Sequence, residues 1–523
     1  MKKDTKEPKK YHCFYIVGLA LVFIISFTYI FNEKIDLNGD NCDYYMLATS
    51  ITSGHGYSNI ATPDYKPTGV FPPGYPILMS IIRIFSDSII AQKILNGLFL
   101  LSSSILLFLF IRKNKLPDSL AFISCVAILL NARILHFSTM MMSEMSYILF
   151  SVFALWTLFK LNEEKPFWKN AWFYLLILSS AYAYHIRTQG ITLAAAIICY
   201  LLITKKWKQM AGFIGGYAIC LLPWIIRNKM TDIGQSRYLS QIFQVSQHRP
   251  EEGMLDTGGL ISRFFDTCRM LITKALPNTI MPPYLDVDYS TATTTSEWII
   301  GILLLAVIII GFWQFGKFRY FFLFYTVANI GIIALFNDPG NNRYITTLIP
   351  FLQIGVFVGM YVILLATIKK LKIAKSFSPW FLSIFFLIFS FPPLKAEHEQ
   401  NKSPFPPNYQ NFFRIAEEVK KQLPPQTMIC SRKPNLFYMY GKTWVCNYKW
   451  TQDDKELINE LIRNKVDYVV LEQLGYSSTF RYLYPAIEKH QELFAPVMHL
   501  PNPDTYLLKF DRDAAAIKMN NIE

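Results

Sequence analysis

The sequence predicts a polytopic α-helical membrane protein that carries a small C-terminal α/β domain. Three observations lead there. Of 523 residues, 52% are hydrophobic and only 17% are charged, where a soluble globular chain carries about 25% charge. The apolar residues come in long blocks rather than alternating with polar ones, and the mean hydropathy is +0.26. The Lys and Arg residues gather at the ends of those blocks. A net charge of +14 would otherwise suggest nucleic acid. Cations placed at block ends are instead the mark of a chain that keeps its basic loops on the cytoplasmic side of a membrane. Membrane lipids are therefore expected as surroundings, and nucleic acid is set aside as a partner.

Apolar runs of about 18–20 residues suffice to cross a bilayer. Eleven are read, at 13–31, 89–111, 118–137, 144–161, 170–186, 190–204, 210–226, 297–315, 319–336, 345–368 and 377–393. The runs at 170–186 and 190–204 are short. The first run is read as a retained span, because it is long and no small-residue cleavage site follows it. The basic clusters are Lys2, Lys3, Lys6, Lys9 and Lys10; Arg112, Lys113 and Lys115; Lys205, Lys206 and Lys208; Lys317 and Arg319; and Lys369, Lys370, Lys372 and Lys375. With eleven spans and the N-terminus inside, all of them fall on the cytoplasmic face. This predicts a multi-pass plasma (inner) membrane protein with its C-terminal domain extracytoplasmic.

The opposite face then receives a first loop at 32–88, a turn near 137–144, a long loop at 227–296, a short loop at 337–344 and a tail. The transmembrane domain is placed at 1–393 and the soluble domain at 394–523. Pro392-Pro393 and the stretch Ser403–Pro407 read as a linker. Beyond it the pattern predicts a helix over 409–422, a strand over 427–431, a helix over 453–464, a strand at Tyr468–Leu471 and a last strand over 503–510. The 8 Cys show no metal-type spacing. Cys430 and Cys446 could pair in an oxidising compartment; two free thiols are the other reading.

Ionisable residues on the outer side form the candidate site. The first loop holds Asp36, Asp40 and Asp43, with Tyr44 following and His55 between two glycines. Carboxylates just beyond a span can serve as a general base or bind a cation, and the alternative is a solvated loop. Glu144 opens the fourth run, with Ser143 placed to cap it. An ionisable residue there is costly unless it is paired, solvated or functional. Arg187, Arg227 and Arg343 lie at outer span ends, against the bias of the other cations. Guanidinium groups suit bidentate contact with phosphate; snorkelling to headgroups is the alternative for each. His55, His136 and His185 lack metal-site spacing. His55 is a loop residue able to hydrogen-bond a substrate.

Taken in order, these residues resemble the GT-C superfamily of membrane glycosyltransferases, in the branch of the protein O-mannosyltransferases and the aminoarabinose transferase of lipid A. The resemblance rests on Gly39, Asp40, Tyr44 and Ala48, then on Gly54, Gly56 and Tyr57, then on Pro72–Pro76. It continues through Ser143 and Glu144, Arg187 and Gly190, Pro223, Trp224, Arg227 and Asn228, to Arg343, Tyr344 and Pro350. It implies an inverting enzyme that takes a sugar from a polyprenyl-phosphate-linked donor to an extracytoplasmic acceptor, which is a protein, a glycolipid or an envelope glycan. Asp40 takes the place of the catalytic acid residue and Glu144 that of the second acidic position. The family often has a further acidic residue where Asn41 stands, so Asp43 is the fallback. Arg343, Arg187, Lys66 and Arg227 are the expected donor phosphate-binding residues, and Tyr44, His55 and Tyr344 are expected to touch substrate. A divalent cation between Asp40 and Glu144 is a further way of using the two carboxylates, which spacing does not decide. A transporter or flippase of lipid-linked sugars is the competing function. Transporters favour internal repeats and polar residues near the bilayer midplane, and the candidates here lie at one surface.

Overall fold

Each apolar run forms helix in the computed structural model, which describes residues 11–37, 39–161, 166–231, 233, 241–246, 249–280, 287–336, 343–374 and 376–520. Lys2, Lys3, Lys6, Lys9, Lys10 and Lys375, and the stretch 337–342, lie outside the described residues. Among those described, 7 helices are long and apolar enough to cross a membrane: Cys13–Ile30, Ile89–Lys113, Trp207–Met230, Thr295–Trp313, Phe318–Leu335, Tyr344–Lys370 and one within Pro379–Gln422. The run read as one span at 118–137 is two helices, Asp118–Leu129 and Ala132–Ser138, bent by 62°. No proline or glycine causes the bend. Asn131 makes it, accepting from the Ile134 amide at 3.2 Å and donating to the Thr279 carbonyl at 2.9 Å, so it caps one helix and ties the break to the long loop.

Three further helices, Glu144–Lys160, Ala171–Ile186 and Gly190–Ile203, hold 17, 16 and 14 residues. At a rise of about 1.5 Å per residue the last is only about 21 Å long. The long loop is partly helical as well, with a helix at Thr257–Met270. The helices Thr295–Trp313 and Ile349–Lys370 meet backbone to backbone, because a side chain at Gly311 would run into the Gly355 carbonyl. One helix connects the Glu144 region with the opposite end of the bundle. Glu144 begins the helix Glu144–Lys160, and Leu158 and Phe159 near its other end line a cavity with Lys113, Lys115, Lys206 and Lys317. Three of the basic clusters therefore share one end of the bundle, about 20 Å from Glu144 by the same rise.

Pro392 and Pro393 lie inside the helix Ser383–Lys402 rather than in a linker. The far end of this helix is pinned to the end of the first span. His398 stacks on Tyr29 with ring centroids 4.0 Å apart, and Asn401 donates to the Ile30 carbonyl at 2.6 Å. The tail that follows is an α/β unit. Its sheet contains β1 (Met428–Cys430), β2 (Trp444–Cys446), β3 (Tyr468–Leu471), β4 (Phe494–Leu500) and β5 (Thr505–Phe510), in the order β2-β1-β3-β5-β4. The first three strands are parallel, and β4 and β5 are antiparallel to their neighbours. Helices Pro407–Gln422, Pro434–Gly441 and Asp454–Arg463 supply the crossovers and flanks. Cys430 and Cys446 are direct cross-strand partners and both are free thiols.

Candidate active site

Four charged side chains, drawn from four places in the chain, alternate in sign along one line. Arg343 donates from Nη1 to Asp40 Oδ2 at 2.8 Å and from Nε to Glu144 Oε1. Arg187 donates from Nη1 to the same Glu144 oxygen at 2.8 Å and to Ser143 Oγ at 2.9 Å. The side chains grade from accessible to buried. Asp40 is 32% exposed, Arg343 14%, Arg187 8% and Glu144 0%. Two carboxylates thus balance two guanidiniums, which is what makes burial of Glu144 tolerable. Burial works against the charge on Arg343, but Glu144 and Asp40 outweigh it and hold its pKa well above the ordinary guanidinium value.

The local backbone explains each placement. Gly39 has φ +74, and a Cβ there would lie 2.7 Å from Met142 Cε. The chain can therefore turn tightly against the 140–144 segment and set Asp40 at the start of the helix Asn41–Thr52. The Asp40 carbonyl accepts from the Tyr44 amide at 3.0 Å, and Asn41 donates to the Asp36 carbonyl at 2.9 Å, closing the turn. Arg187 is an extended residue between two helices, with φ −145 and ψ 133. The break points its side chain inward instead of along a helix face. Arg343 heads the turn Tyr344–Leu348, which runs into the helix Ile349–Lys370 with Pro350 in its first turn. Ser143 makes no side-chain cap for Glu144; its hydroxyl is engaged by Arg187 and lies 3.4 Å from the Tyr44 hydroxyl.

Asp40, Arg187 and Arg343 open onto a cavity of about 600 Å³, its mouth included. Tyr44, Gln189 and Tyr344 add polar edges, while Ile186, Ile332, Ile333 and Phe336 form an apolar wall. Tyr344 lies under the Arg187 guanidinium at 5.6 Å. The cavity lining thus combines charged, polar and apolar side chains. A cation bridging Asp40 and Glu144 would have to displace the Arg343 guanidinium, which stands between them. Among the described residues, no group of three or more His, Cys, Asp or Glu could hold a metal ion.

A family model described as dolichyl-phosphate-mannose-protein mannosyltransferase matches residues 71–226. No curated protein matches. Two solved structures align with nearly the whole chain. One is the archaeal oligosaccharyltransferase AglB from Archaeoglobus fulgidus, at TM-score 0.57 and 11% identity, over 96% of this chain and 74% of that one. The other is ArnT from Cupriavidus metallidurans, at TM-score 0.56 and 10% identity, over 96% and 98%. The chain has the GT-C fold of these two structures.

Within this GT-C fold the remaining candidates are dispersed. Asp43 turns towards the tail and accepts from Asn435 Nδ2. Lys66 pairs with Asp64 at 3.2 Å and is 78% exposed. His55 stacks on Tyr65 in the exposed part of the first loop. Arg227 donates to the carbonyls of Thr68 and Tyr57, both at 2.6 Å, and so clamps the first loop to the end of the helix Trp207–Met230. His136 pairs with Glu397, and His185 contacts the Cys220 carbonyl at 3.1 Å. The sequence reading overlooked Gln189, whose amide donates to Asn329 Oδ1 at 2.7 Å on the cavity wall. Its position two residues after Arg187, in the same break between helices, was the available signal. Ile332, Ile333 and Phe336 carried none, because lining residues of this kind look like any other apolar span residue.

Proposed function

We propose that this protein is an inverting glycosyltransferase that moves a sugar from a polyprenyl-phosphate-linked donor to an extracytoplasmic acceptor. The observation that carries the reading is the cavity itself. It places a carboxylate, two guanidiniums and an apolar wall together at one end of a membrane-type helix bundle. The GT-C fold raises the expectation, and the two aligned structures hold dolichol-phosphate and undecaprenyl phosphate respectively.

In this reading the lipid phosphate sits against Arg343 and Arg187, with the prenyl chain along Ile332, Ile333 and Phe336. The acceptor oxygen attacks the anomeric carbon from the face opposite the phosphate. As the new C–O bond forms, the bond from the anomeric carbon to the phosphate oxygen breaks, and the electron pair leaves with the phosphate. The guanidiniums stabilise that growing negative charge. Asp40, the most accessible carboxylate of the four-residue line, takes the proton of a hydroxyl acceptor. Glu144 acts from behind by holding both arginines in place. The domain division follows the same logic: the spans to about residue 393 form the catalytic body, and the α/β tail shares the face that carries Asp40.

Asp40→Asn tests the reading. Transfer from a lipid-phosphate sugar should fall by about 10²–10⁴-fold with normal abundance, and lipid-linked sugar should accumulate in membranes. Retained transfer removes the base role from Asp40 and passes the test to Asp43.

A further inference from the structure

The tail touches the first loop at two points that bracket Asp40. Lys433 Nζ donates to the Leu37 carbonyl at 2.9 Å, and Asn435 Nδ2 donates to Asp43 Oδ1. Leu37 and Asp43 are each three residues from Asp40. Lys433 and Asn435 flank the start of the helix Pro434–Gly441, which begins four residues after β1 ends. Two more ties hold the same surfaces together. The Val445 amide in β2 donates to the Ala61 carbonyl at 2.8 Å, and Lys34 Nζ donates to the Ser403 carbonyl at 2.5 Å. Asp40 stands just before the helix Asn41–Thr52, at the point where the first loop turns into it. Gly39 there has positive φ, and Asp40 makes no side-chain cap for the helix that follows. The tail thus grips the chain on either side of Asp40, whose carboxylate itself pairs with Arg343.

We propose that Lys433 and Asn435 are positioning residues for Asp40: they fix the 37–43 turn so that its carboxylate meets Arg343. The inference rests on the catalytic reading of Asp40 given above. The two bonds differ in kind. Lys433 reaches a backbone carbonyl, so its hold is indifferent to the side chain of Leu37. Asn435 reaches a side chain, the Asp43 carboxylate; an ionised donor in one bond and an ionised acceptor in the other make both charge-assisted, roughly twice as strong as neutral bonds. Together they couple the tail to the active site from outside the cavity, whose lining residues among those described all lie before the tail.

The test uses full-length Lys433→Met and Asn435→Ala, with Lys433→Arg as the conservative variant and Lys449→Met as a distant tail control. A misplacement of about 1 Å can cost on the order of 10²-fold in rate. The kcat should fall at least tenfold for the first two variants, by about that reasoning, with the donor KM changed by less than about twofold. Lys433→Arg should recover most of the rate, and Lys449→Met should match wild type. Amide hydrogens of residues 36–52 should exchange faster in the two impaired variants, while those of β3 and β5 should not. Unchanged kcat and unchanged exchange at 36–52 would overturn the proposal, as would a loss of rate matched by loss of folded protein. If wild type itself shows no transfer, the catalytic reading fails instead. The exchange measurement then decides alone whether the tail holds this segment.

Discussion

Glu144 shows how a buried charge can hold a site together. It receives hydrogen bonds from two guanidiniums and is fully buried, so neutralising it leaves two cations facing each other in a desolvated place. Breaking a buried pair by removing one partner costs about 3–5 kcal/mol. Glu144→Gln should therefore lower the apparent unfolding temperature of the purified protein as well as abolish transfer, whereas Asp40→Asn, at a more accessible carboxylate, should impair transfer with little thermal effect. Parallel thermal unfolding and activity assays separate the two. The four members of this line were legible as suspects because ionisable residues at span ends demand a reason. Their partnership was not legible. Asp40 and Arg343 are 303 positions apart and Glu144 and Arg343 are 199 apart, and no local pattern reports a contact at such separations. Lys66, His55 and Arg227 looked equally plausible in the sequence. The structure gives Lys66 and His55 partners within the first loop and sets Arg227 against two of that loop's carbonyls.

At the scale of elements, periodicity located helices well and their interruptions poorly. Hydropathy averages over a window, so a single Asn131 that replaces a helix bond with a cap does not register. Proline misleads in the opposite direction. Pro392 and Pro393 read as a stop, yet the helix Ser383–Lys402 passes through them. The strands β1, β3 and β5 announced themselves as short apolar runs. β2 buries only Val445 fully, whereas β1 of equal length is buried throughout, and β4 is largely exposed and contains Pro496, so neither stood out. The element that matters most for the site is the turn opening the helix Asn41–Thr52. Gly39→Ala would put a side chain into a left-handed backbone position and against Met142. The conformational part alone costs roughly 1–2 kcal/mol, so the turn should relax and carry Asp40 away from Arg343. The expected outcome is a loss of kcat with protein abundance preserved, read from transfer assays on membranes normalised for protein content.

On the scale of the whole molecule, the charge asymmetry that suggested sidedness has a physical counterpart. Basic loops share one cavity at one end of the helix that begins with Glu144, and the tail packs against the first loop near the other. Glu251 of the long loop adds another bridge to the tail, accepting from Arg481 at 2.9 Å and from the Tyr482 hydroxyl at 2.8 Å. The two edges of the tail sheet are managed differently. β4 is blunted by Pro496 and by an irregularity between Pro496 and Met498. β2 is only three residues long, and its Val445 amide is satisfied by the Ala61 carbonyl of the first loop. One backbone group on this edge is thus bonded to the membrane body. A tail released by proteolysis, or produced alone from residue 403 onwards, would carry an open edge and seek a strand from its neighbour. Such a fragment should self-associate on size-exclusion chromatography, while a peptide spanning residues 57–68 should reduce that association. In the intact protein the Ala61 carbonyl of the first loop occupies part of that edge.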